Sequence, residues 1–317
     1  MQKLVIKIVI SSALLFFFLR DSHLGEITSA VTSYSLVILG AVFSLYVAAM
    51  LVSAVKWKLL LPEYSFGKLL RFTFIGQFYS LVLPGQLLGE AAKAYRMGKG
   101  EINADKIAVS VFIDKLTGIA GLFLVGFFGA LLSGTNISSG ILWIMGVGFL
   151  AVVGVLILAR LNVLGGIFSR LLPPVRRLFG VGEDSGNFLL PAAEHFHEYA
   201  RKNIVITASV FLGVVFQLLA VGIVALFAQS LGIPISFQDL LWIFGVVSIA
   251  VLLPVTIAGL GIREGTFIGI LSWFSVVPEL ALALSFSVFS LQVFAAAIGG
   301  LIELRSLTKK GKQWSRL

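Results

Sequence analysis

Apolar runs of up to 26 residues recur along the chain, at 4–20, 34–55, 107–132, 140–160, 204–229 and 281–304. About 20 residues of helix, rising roughly 1.5 Å each, cross the ~30 Å of hydrocarbon in a bilayer. The strict alternation of a transmembrane barrel strand is absent, so the backbone must satisfy its polar groups within helices. Composition agrees, because only 12% of the 317 residues are charged, about half the share in soluble domains. The pattern predicts an all-α polytopic membrane protein forming a single transmembrane domain over 1–317. Its first half would cover 1–132 and its second half 140–304, with an amphipathic loop at 161–203 and a basic tail at 305–317.

Two further apolar stretches, 72–97 and 240–276, are broken near their middles. Leu83-Pro84-Gly85 interrupts the first, and the segment from Pro254 to Gly261 interrupts the second. Proline removes a helical hydrogen bond and clashes with the preceding turn, so each stretch splits in two. The positive-inside rule then sets the topology. All but Arg20, Lys115 and Arg263 of the 24 Lys and Arg residues fall on one side if both termini are cytoplasmic. Lys68 and Arg71 precede the first broken stretch, and Lys93 and Arg96 follow its midpoint. That stretch therefore enters and leaves from the cytoplasm, and the second enters and leaves from the opposite face. About six full spans plus two re-entrant hairpins result, or about eight spans if 240–258 and 264–276 each cross. Two short interrupted segments in corresponding halves point to the site of an inverted-repeat transporter.

The remaining segments carry weaker signals. Residues 4–19 look like a signal sequence, but Lys7 breaks the run and no small-x-small site follows, so a retained first span is expected. Residues 58–71 suggest an interfacial helix. In the 161–203 loop, Pro173-Pro174 separates two amphipathic pieces, and Phe196 and Tyr199 would rest on the membrane surface.

Ionisable residues inside a membrane are costly, and each is a candidate site. Glu90 follows Gly89 and can meet Lys93 on one helical face. Asp114 shares a stripe with Ser110, Thr117, Gly118 and Gly121, a small and polar face suited to close packing or a wet cavity. Lys115 points elsewhere and is expected to snorkel. Gly259-Leu260-Gly261-Ile262-Arg263-Glu264-Gly265 combines backbone freedom with a guanidinium fork suited to phosphate. Its free N–H groups and the helix dipole would favour an anion. The plainer reading is an internal Arg–Glu pair holding the hairpin tip. Gln292, Gly299, Gly300 and Glu303 share one face of the last span, with Glu303 solvated near its end. No cysteines occur, and His23, His195 and His197 fall in expected loops. No P-loop or catalytic constellation is present, so neither a cofactor nor an enzyme activity is expected, and no metal site.

Two blocks carry a resemblance. The first comprises Gly76-Gln77-Phe78, Leu83-Pro84-Gly85, Gly89-Glu90, Tyr95-Arg96, Ser110-Val111-Phe112 and Asp114-Lys115-Leu116. The second runs from Leu253-Pro254 through Gly259 to Gly265. Together they resemble the transmembrane region of lysylphosphatidylglycerol synthase and its stand-alone, flippase-like relatives. The resemblance implies movement of a headgroup-bearing lipid, phospho- or polyprenyl-linked, between leaflets. It places Glu90, Asp114, Arg263 and Glu264 on the family's charged positions, with Arg96, Gly259, Gly261, Pro84, Gly85, Gly89 and Pro254 around them. Leu88-Gly89-Glu90 departs from the usual Gly-Gly-Asp. The chain ends at Leu317, so no aminoacyl-transfer domain is expected. Expected partners are membrane lipids, with anionic headgroups favoured, and a lipid-synthesising enzyme, but no nucleic acid; the oligomeric state is not legible. The alternatives are a subunit scaffolding a lipid-modifying enzyme or glycosyltransferase, and a small-solute or ion transporter. The expected location is the inner membrane.

Overall fold

The computed structural model describes residues 11–314 apart from 13, 15, 19, 21–23, 84, 85, 100, 134–138, 162–183 and 254. Among the described residues there is helix and no strand. The helices are α1 (Leu24–Thr32), α2 (Leu36–Leu60), α3 (Phe66–Val82), α4 (Gln86–Gly98), α5 (Ala104–Leu132), α6 (Ser139–Arg160), α7 (Asp184–Arg201), α8 (Asn203–Ser230), α9 (Phe237–Leu252), α10 (Ile262–Leu271) and α11 (Pro278–Trp314). Five described helices are long and apolar enough to cross a membrane: α2, α5, α6, α8 and the Pro278–Ser306 part of α11. Their outer faces carry bare apolar side chains such as Val37, Phe43, Trp143, Leu150 and Phe211. The chain is a multi-pass membrane protein. The expected span at 4–20 lies largely outside the described residues. Its described residues are helical, and Ser11 among them accepts a 3.0 Å bond from the Ile257 N–H.

Both broken stretches fold back on themselves. Ser65 and Ser236 cap α3 and α9 by accepting from the N–H groups of Lys68 and Asp239. Leu83 and Leu253, each followed in sequence by proline, end those helices in extended geometry, at ψ 149° and 125°, as a pre-proline residue must. At 17, 13, 16 and 10 residues, α3, α4, α9 and α10 are about 25, 20, 24 and 15 Å long, short of the ~30 Å core. The ends of the first hairpin meet where Lys68 grips Glu101 at 2.8 Å; that bond and charge hold the Glu101 carboxyl below its usual range. The ends of the second meet where Trp242 stacks on Trp273, ring centroids 6.4 Å apart.

The two hairpins enter from opposite ends of α5. The first is anchored near its start, where Lys106 pairs at 2.8 Å with Glu63 of the turn that leads into α3. The second is anchored at its end, where Gly129 lies against Leu241 and Ser133 bonds to Asp239. The order of long helix, hairpin and long helix occurs twice, as α2–α3–α4–α5 and as α8–α9–α10–α11. Packing is exchanged between the two: α3 lies on α11, and α9 lies on α5.

Glycines make those seams. A Cβ on Gly89 would overlap Ser80 of α3, one on Gly121 would lie 2.6 Å from the Gly213 carbonyl carbon of α8, and one on Gly299 would overlap the Phe74 carbonyl of α3. The Gly40 and Ser44 stripe on α2 instead faces outward, and a Cβ on Gly40 would meet nothing.

Several expectations need correction. Residues 58–71 are not one interfacial helix: α2 ends at Leu60, a turn follows, and α3 starts at Phe66. Lys58 stabilises that turn by donating to the Pro62 and Tyr64 carbonyls at 2.6 Å. Phe196 and Tyr199 do not lie on a membrane surface. Both are buried in a core with Trp57, Leu60 and Ile107, and the Tyr199 hydroxyl donates to the Leu60 carbonyl at 2.5 Å. The histidines of that segment sit on helix α7, where His195 approaches Asp105 at 3.3 Å and His197 bonds to the Ala159 carbonyl at 2.8 Å. No group of metal-ligating side chains occurs among the described residues. Pro173 and Pro174 lie outside the described residues.

Because backbone cannot move aside, Gly89→Leu and Gly299→Leu should each cost about 1–3 kcal/mol, read as an earlier unfolding midpoint in detergent. Gly40→Leu should leave the midpoint unchanged.

Candidate functional site

The second hairpin turns through Gly259 and Gly261, whose φ values of 75° and 86° suit glycine alone at little cost. Gly261 then caps α10, and its N–H donates to Glu264 Oε2 at 2.6 Å. The other oxygen, Oε1, accepts from Arg263 Nη2 at 2.8 Å and from the Ser285 hydroxyl at 2.8 Å. Ser285 also accepts from Arg263 Nε at 3.0 Å, and the guanidinium lies 4.5 Å from the Phe289 ring centroid. Glu264 is completely buried and fully occupied. Its bonds aim Arg263. Nη1 of Arg263 makes no hydrogen bond among the described residues, and Arg263 lines a central cavity.

That cavity, about 330 Å³, lies between the two hairpin tips and α2, α5, α8 and α11. The first hairpin contributes Gln77, Ser80, Gln86 and Glu90; α5 contributes Asp114, Lys115 and Gly118. Lys56 comes from α2, Gln217 from α8, Ser248 from α9 and Gln292 from α11. Burial of unpaired charge is costly, and most of the ions here are paired. Lys56 binds Asp114 twice, at 3.2 Å to the carboxylate and 2.6 Å to its backbone carbonyl. Lys93 pairs with Glu90 at 2.6 Å and lies 4.4 Å from the Trp57 ring centroid.

Three of the anticipated residues thus meet at one cavity: Glu90, Asp114 and Arg263. Arg96 turns away from it and pairs with Glu303, which also accepts from the Tyr79 hydroxyl at 2.9 Å. Glu303 is therefore buried and bound to α4 and α3, and not solvated as expected. Gly89 serves hairpin packing, and Gly259 and Gly261 serve the turn. Pro84, Gly85 and Pro254 lie outside the described residues. The stripe on α5 divides its work, with Ser110 on Trp57, Gly118 in the cavity wall and Gly121 on Gly213.

The sequence reading missed Lys56, which was counted as a flanking cation yet is only 6% exposed; it foresaw that Lys93 could meet Glu90 but not that Lys93 is buried, at 4%. It also sent Lys115 to the interface, whereas Lys115 faces the cavity. A helical stripe was available as a signal. Ala49, Ser53 and Lys56 are spaced i, i+4, i+7, as are Gln86, Glu90 and Lys93, and one face of each helix leads to its lysine.

A second, mostly apolar groove of about 780 Å³ runs between α4 and α5, lined by Leu87, Ala91, Tyr95, Ala108, Phe112 and Leu116 among others. Leu87, Tyr95 and Phe112 are about half exposed or more, so the groove opens sideways from the protein. It shares Glu90, Lys115 and Ile119 with the central cavity. Polar chamber and apolar groove meet at those three residues.

No curated protein and no solved structure matches the chain. The family model described as the lysylphosphatidylglycerol synthase TM region matches residues 4–300, nearly the whole chain, and the protein belongs to that family.

Proposed function

We propose that this protein is a lipid transporter that carries a headgroup-bearing lipid between leaflets, without enzyme activity of its own. The observation that carries the reading is the junction of a charged chamber with an apolar groove open to the membrane. A headgroup needs a polar path, whereas acyl chains are at home in hydrocarbon. A small-solute or ion carrier has no use for the groove. Both compartments have volumes within the ~300–1,000 Å³ usual for ligand sites. Family membership supports lipid handling in general terms. Two hairpin tips meeting from opposite faces supply the broken-helix architecture in which transporters place their substrates.

In this reading the membrane is the inner membrane, both termini face the cytoplasm, and lipid is the principal partner. The Lys68–Glu101 end of the first hairpin faces the cytoplasm, and the Trp242–Trp273 end of the second faces away. The natural chain has no cysteine, so introduced thiols report topology cleanly. Ile102→Cys and Val277→Cys, both at exposed sites, should react with an impermeant maleimide from opposite sides of the membrane. Labelling of both from one side would sink the opposed-hairpin topology.

Transport is tested with purified protein in vesicles carrying lipid labelled in one leaflet. Wild type should equilibrate the label, and Arg263→Ala should slow it about tenfold or more, the scale of one lost charge-assisted bond. Lys202→Ala, at an exposed helix boundary, should behave as wild type. Failure of the wild type to move any labelled lipid, with or without an ion gradient, rules the proposal out.

A further inference from the structure

The chamber has more cations than its carboxylates can match. Lys56, Lys115 and Arg263 line it together with Glu90 and Asp114, and Lys93 and Glu264 stand behind as the partners of Glu90 and Arg263. Three ion pairs consume all three acids: Lys56 with Asp114, Lys93 with Glu90, and Arg263 with Glu264. Lys115 is left over. It makes no ion pair or hydrogen bond among the described residues, and the charges within its reach are Glu90, Asp114, Lys93 and Lys56, two of each sign. Lys115 is therefore the one cation around the chamber without a carboxylate of its own among the described residues.

Its position gives that surplus a direction. Lys115 is half-buried and lies in the wall shared by chamber and groove, together with Glu90 and Ile119. A lysine in low-dielectric surroundings without a counter-ion is costly, and a ligand that brings the missing negative charge removes the cost. In a glycerophospholipid the phosphate is the group that joins headgroup to acyl chains. A lipid with its chains in the α4–α5 groove and its head in the chamber places that phosphate at the junction, where Lys115 waits.

We infer that Lys115 is the anchor for the phosphate of a lipid whose headgroup is net anionic, and that the chamber discriminates against cationic, aminoacylated heads. The chemistry is that of an anionic phosphate ester; the inference rests on the lipid-handling reading only in taking a lipid, and not a free phosphate ester, as its source. A lysyl-bearing head carries two ammonium groups and one phosphate. Its second ammonium would enter a chamber whose acids each already hold a cation, and would approach Lys56 and Arg263.

The test is binding by the full-length, delipidated protein in neutral detergent. The probes are phosphatidylglycerol, phosphatidylcholine and lysyl-phosphatidylglycerol with identical fluorescent acyl chains. Phosphatidylglycerol should bind at least tenfold more tightly than the lysyl form. Lys115→Gln should weaken phosphatidylglycerol about tenfold and phosphatidylcholine, whose own ammonium already faces the same phosphate, by a smaller factor, and Lys115→Arg should retain the preference. Soluble glycerol phosphate should not compete at equal concentration; if it does, the site takes a free phosphate ester and the lipid assignment falls. Equal or tighter binding of the lysyl lipid by wild type overturns the inference, and so does a Lys115→Gln protein with an unchanged preference. Should that variant fail to fold, the headgroup series on wild type decides alone. Selective binding without movement in the vesicle assay would remove the transport reading and leave this anion site standing.

Discussion

A helix that stops inside hydrocarbon leaves carbonyl and N–H groups with no water to receive them, and the whole architecture turns on how those groups are satisfied. The second hairpin does so with its own residues and with Ser11 from the start of the chain. Glu264 takes the Gly261 N–H, Ser11 takes that of Ile257, and short backbone bonds close Leu253 onto Ala250, Leu260 onto Ile257 and Arg263 onto Gly259. Positive φ at Ala258, Gly259 and Gly261 compresses this turn into the few residues available. A carboxylate buried for that purpose then needs a cation and a donor of its own. Arg263 and Ser285 provide them. Backbone repair thereby places a guanidinium at the tip of a broken helix, on the wall of the chamber.

The same logic explains why the chamber is charged yet stable. A buried ion pair barely offsets its desolvation, but removing one partner is severe. Lys56, Asp114, Lys93 and Glu90 form two pairs, the first tying α2 to α5 and the second closing one face of α4 within that helix. Their geometry is supported by groups without charge. Trp57 lies between the two pairs, donating to Ser110 and presenting its ring to Lys93. The pairs define the chamber's polarity, and Gly118, where a Cβ would lie 3.1 Å from Lys56 Nζ, leaves room for that ammonium to reach α5.

Much of this was legible because the signals were local and chemical. Pro84 and Pro254 had to stop helices, and basic flanks had to share a side, so opposed hairpins followed from Lys68, Arg71, Lys93 and Arg96. The density of glycine and charge from Gly259 to Gly265 marked the tip. What escaped depended on helix rotation, which a single sequence states weakly when every face is apolar. Lys56 lies within two turns of the end of α2 and looks like an interfacial cation until Ser53 and Ala49 are seen on the same stripe. Lys115 and Asp114 are neighbours, about 100° apart on α5, and the chamber is wide enough to take both. Glu303 escaped for the opposite reason, because its partners Arg96 and Tyr79 come from the other half of the chain.

That cross-chain partnership is the feature that joins fold to site. Each hairpin packs its first helix on the closing long helix of the opposite half, α3 on α11 and α9 on α5. Neither half alone can enclose a chamber, since each tip forms only one wall. Their meeting also explains the asymmetry of the site. The second tip, sealed by Glu264, ends in a fixed guanidinium. The first tip instead presents α4, whose polar face of Gln86, Glu90 and Lys93 turns inward while Leu87, Ala91 and Tyr95 line the groove. One amphipathic helix of 13 residues thus divides a charged interior from the lipid phase. The lysine left unpaired, Lys115, stands at that dividing line.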